Sequence, residues 1–280
     1  MEFEVSVWPS PERRLLEGSG ELGDITVIMG RPRSGKSLFL RYLFALLSED
    51  HELAVRTSEE VLDGGGWARL KVGDASLDCS KSQEDGASRC VIKPYLRKEA
   101  YLFYEGILLT LKYRLTSPES SKIINAVARL FERIAEFREG KWRYDVVYTP
   151  VTGWLERVDG KLIRFGFASA AVVAVGVLER AFLLDAWLLL DGTLDELFPE
   201  EVFYLAGRAS SAKARLVVTT HSPWVRDAFR CHRGVAKAQG MPVGQSSVAV
   251  CEFIDGGVHE IELTSETYGD ALERLYVVCE

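Results

Sequence analysis

The chain has 280 residues, 47% apolar and 27% charged, with a formal net charge of -7. That supplies apolar material for a substantial core, as one large α/β domain or a core with an inserted lobe. The acidic balance argues against a protein that binds DNA or an anionic membrane by charge alone, while leaving room for a local basic patch.

In chain order, Phe3 to Trp8 alternates and predicts a strand ended by Pro9 and Pro11; Gly18-Ser19-Gly20 predicts a turn. Ile25 to Met29 is a short apolar, β-branched run that reads as a buried strand, and Leu38 to Leu47 reads as a helix. Glu49-Asp50 closes this first unit, and 53–92 reads as short alternating runs between turns, including a hairpin over Trp67 to Cys79 with Gly73-Asp74 at its tip. Lys81 to Ser88 predicts a polar loop, and Arg89 to Ile92 a strand stopped by Pro94. Helical patterning predicts a lobe over 99–140, inserted in a single domain of 1–280. Its first helix spans about 99–115. Its second starts at Ser117-Pro118 and carries Ile123, Ala126, Val127, Leu130, Phe131, Ile134 and Phe137 on one face.

Beyond the lobe, strands are expected at Tyr144 to Tyr148, Trp154 to Val158 and Lys161 to Phe165, the last two joined by a tight Asp159-Gly160 turn. The most apolar segment, 167–190, is interrupted by Glu179, Arg180 and Asp185, so it reads as a buried helix followed by the strand Trp187 to Asp191 rather than a membrane span. A helix from Pro199, a buried strand over Arg215 to His221, and a terminal hairpin over Ser247 to Leu263 complete the series. Strands alternating with helices predict a mostly parallel sheet. Met1 to Val5 is acidic and alternating, unlike a signal or transit peptide, and a cytoplasmic location is expected. The five cysteines form no C-x-x-C pair and the four histidines are scattered, so no zinc site is expected. Free thiols in a reducing compartment are the expectation, a hyperthermophile cytoplasm being the exception.

Three stretches carry chemistry. Gly30-Arg31-Pro32-Arg33-Ser34-Gly35-Lys36-Ser37 is a complete G-x-x-x-x-G-K-[ST] loop between a strand and a helix that opens at Leu38. Its glycines let backbone N–H groups turn inward around phosphates at a helix N-terminus, Lys36 is spaced to reach the β- and γ-phosphates, and Ser37 offers a hydroxyl to Mg²⁺. Four apolar residues ending in Asp191 deliver a carboxylate at the end of a buried strand, where it can hold Mg²⁺ directly or through water. Asp185 competes for this role with only Leu183-Leu184 directly before it. Thr219-Thr220-His221-Ser222-Pro223 places a histidine at a strand end, where it can hydrogen-bond a γ-phosphate and an attacking water.

In this order the motifs resemble those of ABC-class P-loop ATPases, and most closely the soluble branch that includes RecF, SMC and Rad50-like proteins and stand-alone prokaryotic "AAA" ATPases. Asp191-Gly192-Thr193-Leu194-Asp195-Glu196-Leu197-Phe198-Pro199 looks like that branch's D-E-P-E-x-x-L-H-P stretch with the same spacing. The resemblance implies a P-loop NTPase fold with a mixed sheet, antiparallel hairpins and a helical lobe. It implies ATP and Mg²⁺ as cofactors, held by Gly30 to Leu38, Ser37 and Asp191, with Lys36, Asp191 and His221 as the catalytic set and Trp8, Arg13 and Arg14 as candidates to receive the adenine. It also implies a homodimer in which Ser169 of one subunit reaches the γ-phosphate bound to the other, with nucleic acid or protein as further partners and a nucleic-acid-related or defence role.

Three departures qualify this. The family's catalytic glutamate position holds Gly192, which cannot orient or deprotonate water. The signature region, Phe167 to Ala171, lacks its glycine, and no glutamine follows the strand at 89–92, Gln83 lying in the loop before it. Asp195 or Glu196 is available to replace the base, or each is a helix-entry or surface carboxylate. Hydrolysis is therefore expected to be slow. A non-hydrolysing nucleotide sensor or scaffold is the first alternative, then a P-loop small-molecule kinase, then a transporter subunit. No heptad run is long enough for a coiled-coil arm.

Overall fold

The computed structural model describes residues 1–93, 98–104, 121–137, 142–149, 153–164 and 170–260. Among them an 11-stranded mixed sheet forms the spine. Its parallel heart is built from β3 (Ile25–Gly30), β7 (Ala100–Tyr104), β11 (Trp187–Asp191), β12 (Arg215–Thr220) and β13 (Val248–Ile254), in the order β13-β3-β12-β11-β7. The runs Ile25 to Ile28, Trp187 to Leu190 and Leu216 to Thr220 are buried throughout, as expected of parallel strands covered on both faces.

Beyond β13 the sheet turns mostly antiparallel. It continues through β14 (Gly257–Glu260), β2 (Leu16–Glu21), β1 (Glu2–Trp8), β4 (Trp67–Val72), β5 (Ala75–Lys81) and β6 (Ser88–Lys93). Here the strands alternate, with Phe3, Val5 and Val7 inside and Glu2 and Glu4 outside. A separate three-stranded sheet comprises β8 (Val146–Thr149), β9 (Gly153–Val158) and β10 (Lys161–Arg164). The P-loop NTPase class expected from the motifs is the observed one.

Helix α1 (Lys36–Ser48) buries nine residues, from Leu38 to Leu47 with only Arg41 outside. Its Phe39 ring lies 5.0 Å from Phe3 and 5.7 Å from Phe253, which clamps the helix between the two halves of the sheet. At about 1.5–3 kcal/mol for each large apolar side chain fully buried, this helix firmly anchors the Gly30-to-Ser37 loop that precedes it. The remaining helices are α2 (His51–Val61), α3 (Ser121–Ile134), α4 (Ala170–Ala181), α5 (Pro199–Ala209), α6 (Pro223–Arg230) and α7 (His232–Ala238). The stripe expected for α3 is present, with Ala126, Val127, Leu130, Phe131 and Ile134 buried; the Ser117-Pro118 start lies outside the described residues.

Four expectations need correction. Gly18-Ser19-Gly20 belongs to strand β2 and is not a turn. A Cβ at Gly18 would lie 2.6 Å from that of Val258, and one at Gly20 would lie 2.9 Å from the Phe3 ring, so these glycines permit close packing within a strand. Residues 51–61 form α2, which Asp50 caps by accepting from the Leu53 N–H at 3.1 Å. Ala100–Tyr104 is strand β7 and not the start of a helix, because it pairs in parallel along β11 with Ala100 to Phe103 buried. Finally, Cys79 and Cys90 are not free thiols. They face each other across β5 and β6, with Cα atoms 4.1 Å apart, and are joined as a disulfide.

Candidate functional site

The site lies at the C-terminal edge of the parallel strands. β12 runs between β3 and β11, so the phosphate loop and the Asp191 carboxylate stand two strands apart with the end of β12 between them. The loop leaves β3 at Gly30, where a Cβ would sit 2.6 Å from the Phe253 carbonyl oxygen and 2.7 Å from Ser34 Oγ. It closes through two left-handed residues, Arg33 at φ 67° and Gly35 at φ 93°. Gly35 is the N-cap of α1 and supplies no side-chain acceptor, leaving the first-turn N–H groups directed at the loop mouth.

Arg31, Pro32 and Arg33 are exposed at the loop rim, whereas the Leu38 side chain is buried in the core. Leu38 can thus meet a phosphate only through its backbone. Lys36 Nζ donates to the carbonyls of Gly30 at 2.6 Å and Arg31 at 2.9 Å, and to Ser34 Oγ at 3.4 Å. Burial pushes the Lys36 ammonium below the ordinary lysine range, against the pull of Asp191 and Asp195.

Asp191 gathers the loop and β12. Its Oδ1 accepts from Ser37 Oγ at 3.0 Å and from Thr219 Oγ1 at 2.6 Å, Thr219 being its register partner on β12. These are oxygen donors at a helix start, the donor type that Mg²⁺ takes. Ser37 and Asp191 would hold the ion, which when bound neutralises developing phosphate charge. No cluster of three or more His, Cys, Asp or Glu suited to a metal occurs among the described residues.

After Asp191 the chain turns sharply. Gly192 adopts φ 64°, its N–H donates to Thr219 O and Oγ1, both at 3.2 Å, and a Cβ there would meet nothing within 4 Å. The turn brings Asp195 back against the end of β12. There the Asp195 carboxylate accepts from Thr220 Oγ1, from the His221 N–H at 3.3 Å and from His221 Nδ1 at 2.8 Å. The Asp195 side chain is only 7% exposed, whereas that of His221 is 66% exposed.

The fold assembled from these elements has a solved counterpart. An SMC head bound to the C-winged helix domain of ScpA superposes with a TM-score of 0.56 at 13% identity, over 95% of this chain and 97% of that one. The fold is that of an ABC-class ATPase head. The recombination mediator protein RecF with ATPrS aligns at TM-score 0.47 and 11% identity, over 93% of this chain and 97% of that one. A cobalt transport ATP-binding protein matches at TM-score 0.41 and 11% identity, over 93% of this chain and 80% of that one. No family model and no curated protein matches the sequence.

Gly30 to Leu38, Asp191 and His221 lie along the C-terminal edge of the adjacent strands β3, β11 and β12. Ser169 lies outside the described residues, and α4 begins just after it. Asp185 is exposed before β11, away from the strand end that carries Asp191. Among the adenine candidates, Trp8 stacks on Trp67 with ring centroids 6.1 Å apart, so one of its faces is taken, and Arg14 pairs with Glu17 at 3.3 Å. Sequence reasoning missed Thr219 as a partner of Asp191; the doubled threonine before His221 was the available signal.

Proposed function

We propose that this chain binds ATP with Mg²⁺ and uses it to close a homodimer, with slow hydrolysis returning the dimer to its open state. The observation that carries this reading is the convergence of Lys36, Ser37 and Asp191 at one strand edge, with Ser37 Oγ 3.0 Å from Asp191 Oδ1. Lys36 and the uncapped first turn of α1 receive the β- and γ-phosphates, and Ser37 and Asp191 supply oxygen donors for the metal. Ser169, just before α4, is the residue proposed to meet the γ-phosphate from the second subunit. ATP then drives closure because only a ligand that prefers one state shifts the equilibrium. A nucleic-acid-related or defence process is the proposed setting, on the likeness of motif order to the RecF and SMC branch.

A second reading is a sensor that binds ATP without consuming it. It is favoured by Gly192, which leaves the usual base position without a side chain. Light scattering with and without ATP and Mg²⁺, together with phosphate release, tests both. A doubled mass with slow release supports the ATPase; a doubled mass with no release supports the sensor. An unchanged mass removes the dimer model.

A further inference from the structure

We infer that Asp195 and His221 form the hydrolytic pair of this site, with His221 taking the water's proton and Asp195 positioning its ring. The inference rests on the ATP-binding reading above. Its basis is the hydrogen-bonding of a single carboxylate that sits four residues beyond Asp191 rather than directly after it.

A carboxylate only accepts hydrogen bonds, so the 2.8 Å contact from His221 Nδ1 to Asp195 Oδ2 fixes the proton on Nδ1 in the neutral ring. Nε2 is then left with its lone pair. Asp195 holds the backbone as well as the ring, since it also accepts from the His221 N–H and from Thr220 Oγ1. Two consecutive residues at the end of β12 are thereby tied to the turn that follows β11.

Exposure divides the labour. Asp195, at 7% exposed and with both oxygens engaged, has no access to a water of its own, whereas His221 is 66% exposed on the same edge as the phosphate loop. Asp195 also lies close enough to Lys36 to act on its charge, as does Asp191, so the pair borders the phosphate end of the site. Gly192, the neighbour of Asp191, has only open space where a side chain would project.

In the step itself the water oxygen bonds to Pγ and the bond from Pγ to the β–γ bridging oxygen breaks. ADP leaves with that electron pair, Nε2 takes the water's proton, and the exposed imidazolium returns it to solvent. The Nδ1 proton stays in its bond to Asp195, whose negative charge offsets the charge on the ring. General-base assistance of this kind contributes about 10²–10⁴-fold.

The test compares wild type, Asp195→Asn, His221→Gln and the double variant. Steady-state phosphate release gives kcat and KM, and calorimetry with a non-hydrolysable ATP analogue and Mg²⁺ gives affinity. The expected result is kcat lowered about 100-fold in each single variant, with KM and analogue affinity within about twofold of wild type. The double variant should be no slower than the slower single, because the two residues act as a unit. His221 is exposed, so His221→Gln keeps the test decisive if Asp195→Asn fails to fold. Wild-type kcat in either folded variant, or an effect on KM alone, overturns the pair. Analogue binding with no wild-type turnover overturns the pair and leaves ATP binding standing, whereas absence of analogue binding overturns the ATP reading and the pair with it.

Discussion

Ser37 and Asp191 stand 154 positions apart in sequence, yet Ser37 Oγ reaches Asp191 Oδ1 at 3.0 Å. The first belongs to the opening turn of α1 and the second to the end of β11, with the end of β12 between them. The metal position proposed above therefore rests on two elements that meet only in the finished sheet. Asp191→Asn should bind ATP with its Mg²⁺ dependence largely lost, because a hard cation would lose the charged oxygen ligand proposed for it. Titration of a fluorescent ATP analogue at several Mg²⁺ concentrations checks this; an unaltered Mg²⁺ dependence would remove Asp191 from the metal site.

Lys36→Ala should abolish measurable nucleotide binding while leaving the fold intact. Among the described residues Lys36 Nζ hydrogen-bonds within its own loop, to Gly30, Arg31 and Ser34, so its loss breaks none of the hydrogen bonds that join core elements. Calorimetry with ATP and Mg²⁺ beside a thermal melt separates binding from stability.

Gly192→Glu should raise phosphate release above wild type, at a stability cost of about 1 kcal/mol. The gain follows from returning a carboxylate beside Asp191, where no atom stands within 4 Å of the new Cβ. The cost follows from φ 64°, a left-handed backbone that non-glycine residues adopt with strain. A loss of turnover at unchanged affinity would show that the open turn itself is required.

Glu179→Ala should destabilise by about 3–5 kcal/mol, the cost of leaving a buried partner charge unpaired. Glu179 is fully buried in α4 and accepts from Tyr204 OH at 2.5 Å, the Arg143 N–H at 3.1 Å and Arg180 Nη1 at 3.2 Å. Burial holds its carboxyl above the usual range, partly offset by these donors and by Arg180. The folded state therefore favours protonation of Glu179 more than the unfolded chain does, and stability drawn from this group falls as pH rises above the unfolded carboxyl range. Urea midpoints of the variant and of wild type across pH 4–7 measure both effects.

Cys251 should resist alkylation in the native state. Burial between β3 and β14 pushes its thiol up to about 12, so almost no thiolate exists at pH 8. Mass spectrometry after iodoacetamide, native and in denaturant, reports the contrast; rapid native labelling would contradict the burial.

The loop from Gly30 to Ser37, the strands β3 and β11 and the helix α3 stripe were legible because each rests on a local pattern: a motif, an apolar run or a helical period. What stayed hidden depends on neighbours distant in sequence. Gly18 and Gly20 read as a turn until Val258 and Phe3 are seen against them. Ala100 to Phe103 read as helix because only pairing with β11 makes them a strand. Asp195 was visible as one of two carboxylates after Asp191, but nothing local distinguishes it from Glu196. The distinction arises because the Gly192 turn presents Asp195 to Thr220 and His221. Cys79 and Cys90 looked scattered because their 11-residue separation hides a directly opposed register across one hairpin.

That cross-link closes the outermost pair of strands in the sheet, since β6 is the terminal strand on its side. A free edge strand is ordinarily able to slip by one residue, or to trade places with its equivalent in another molecule. A covalent bond between directly opposed residues permits neither while it lasts. The long sheet therefore ends in a margin whose alignment is set by a bond and not by weak pairing alone, and a reductant would restore its freedom to misalign.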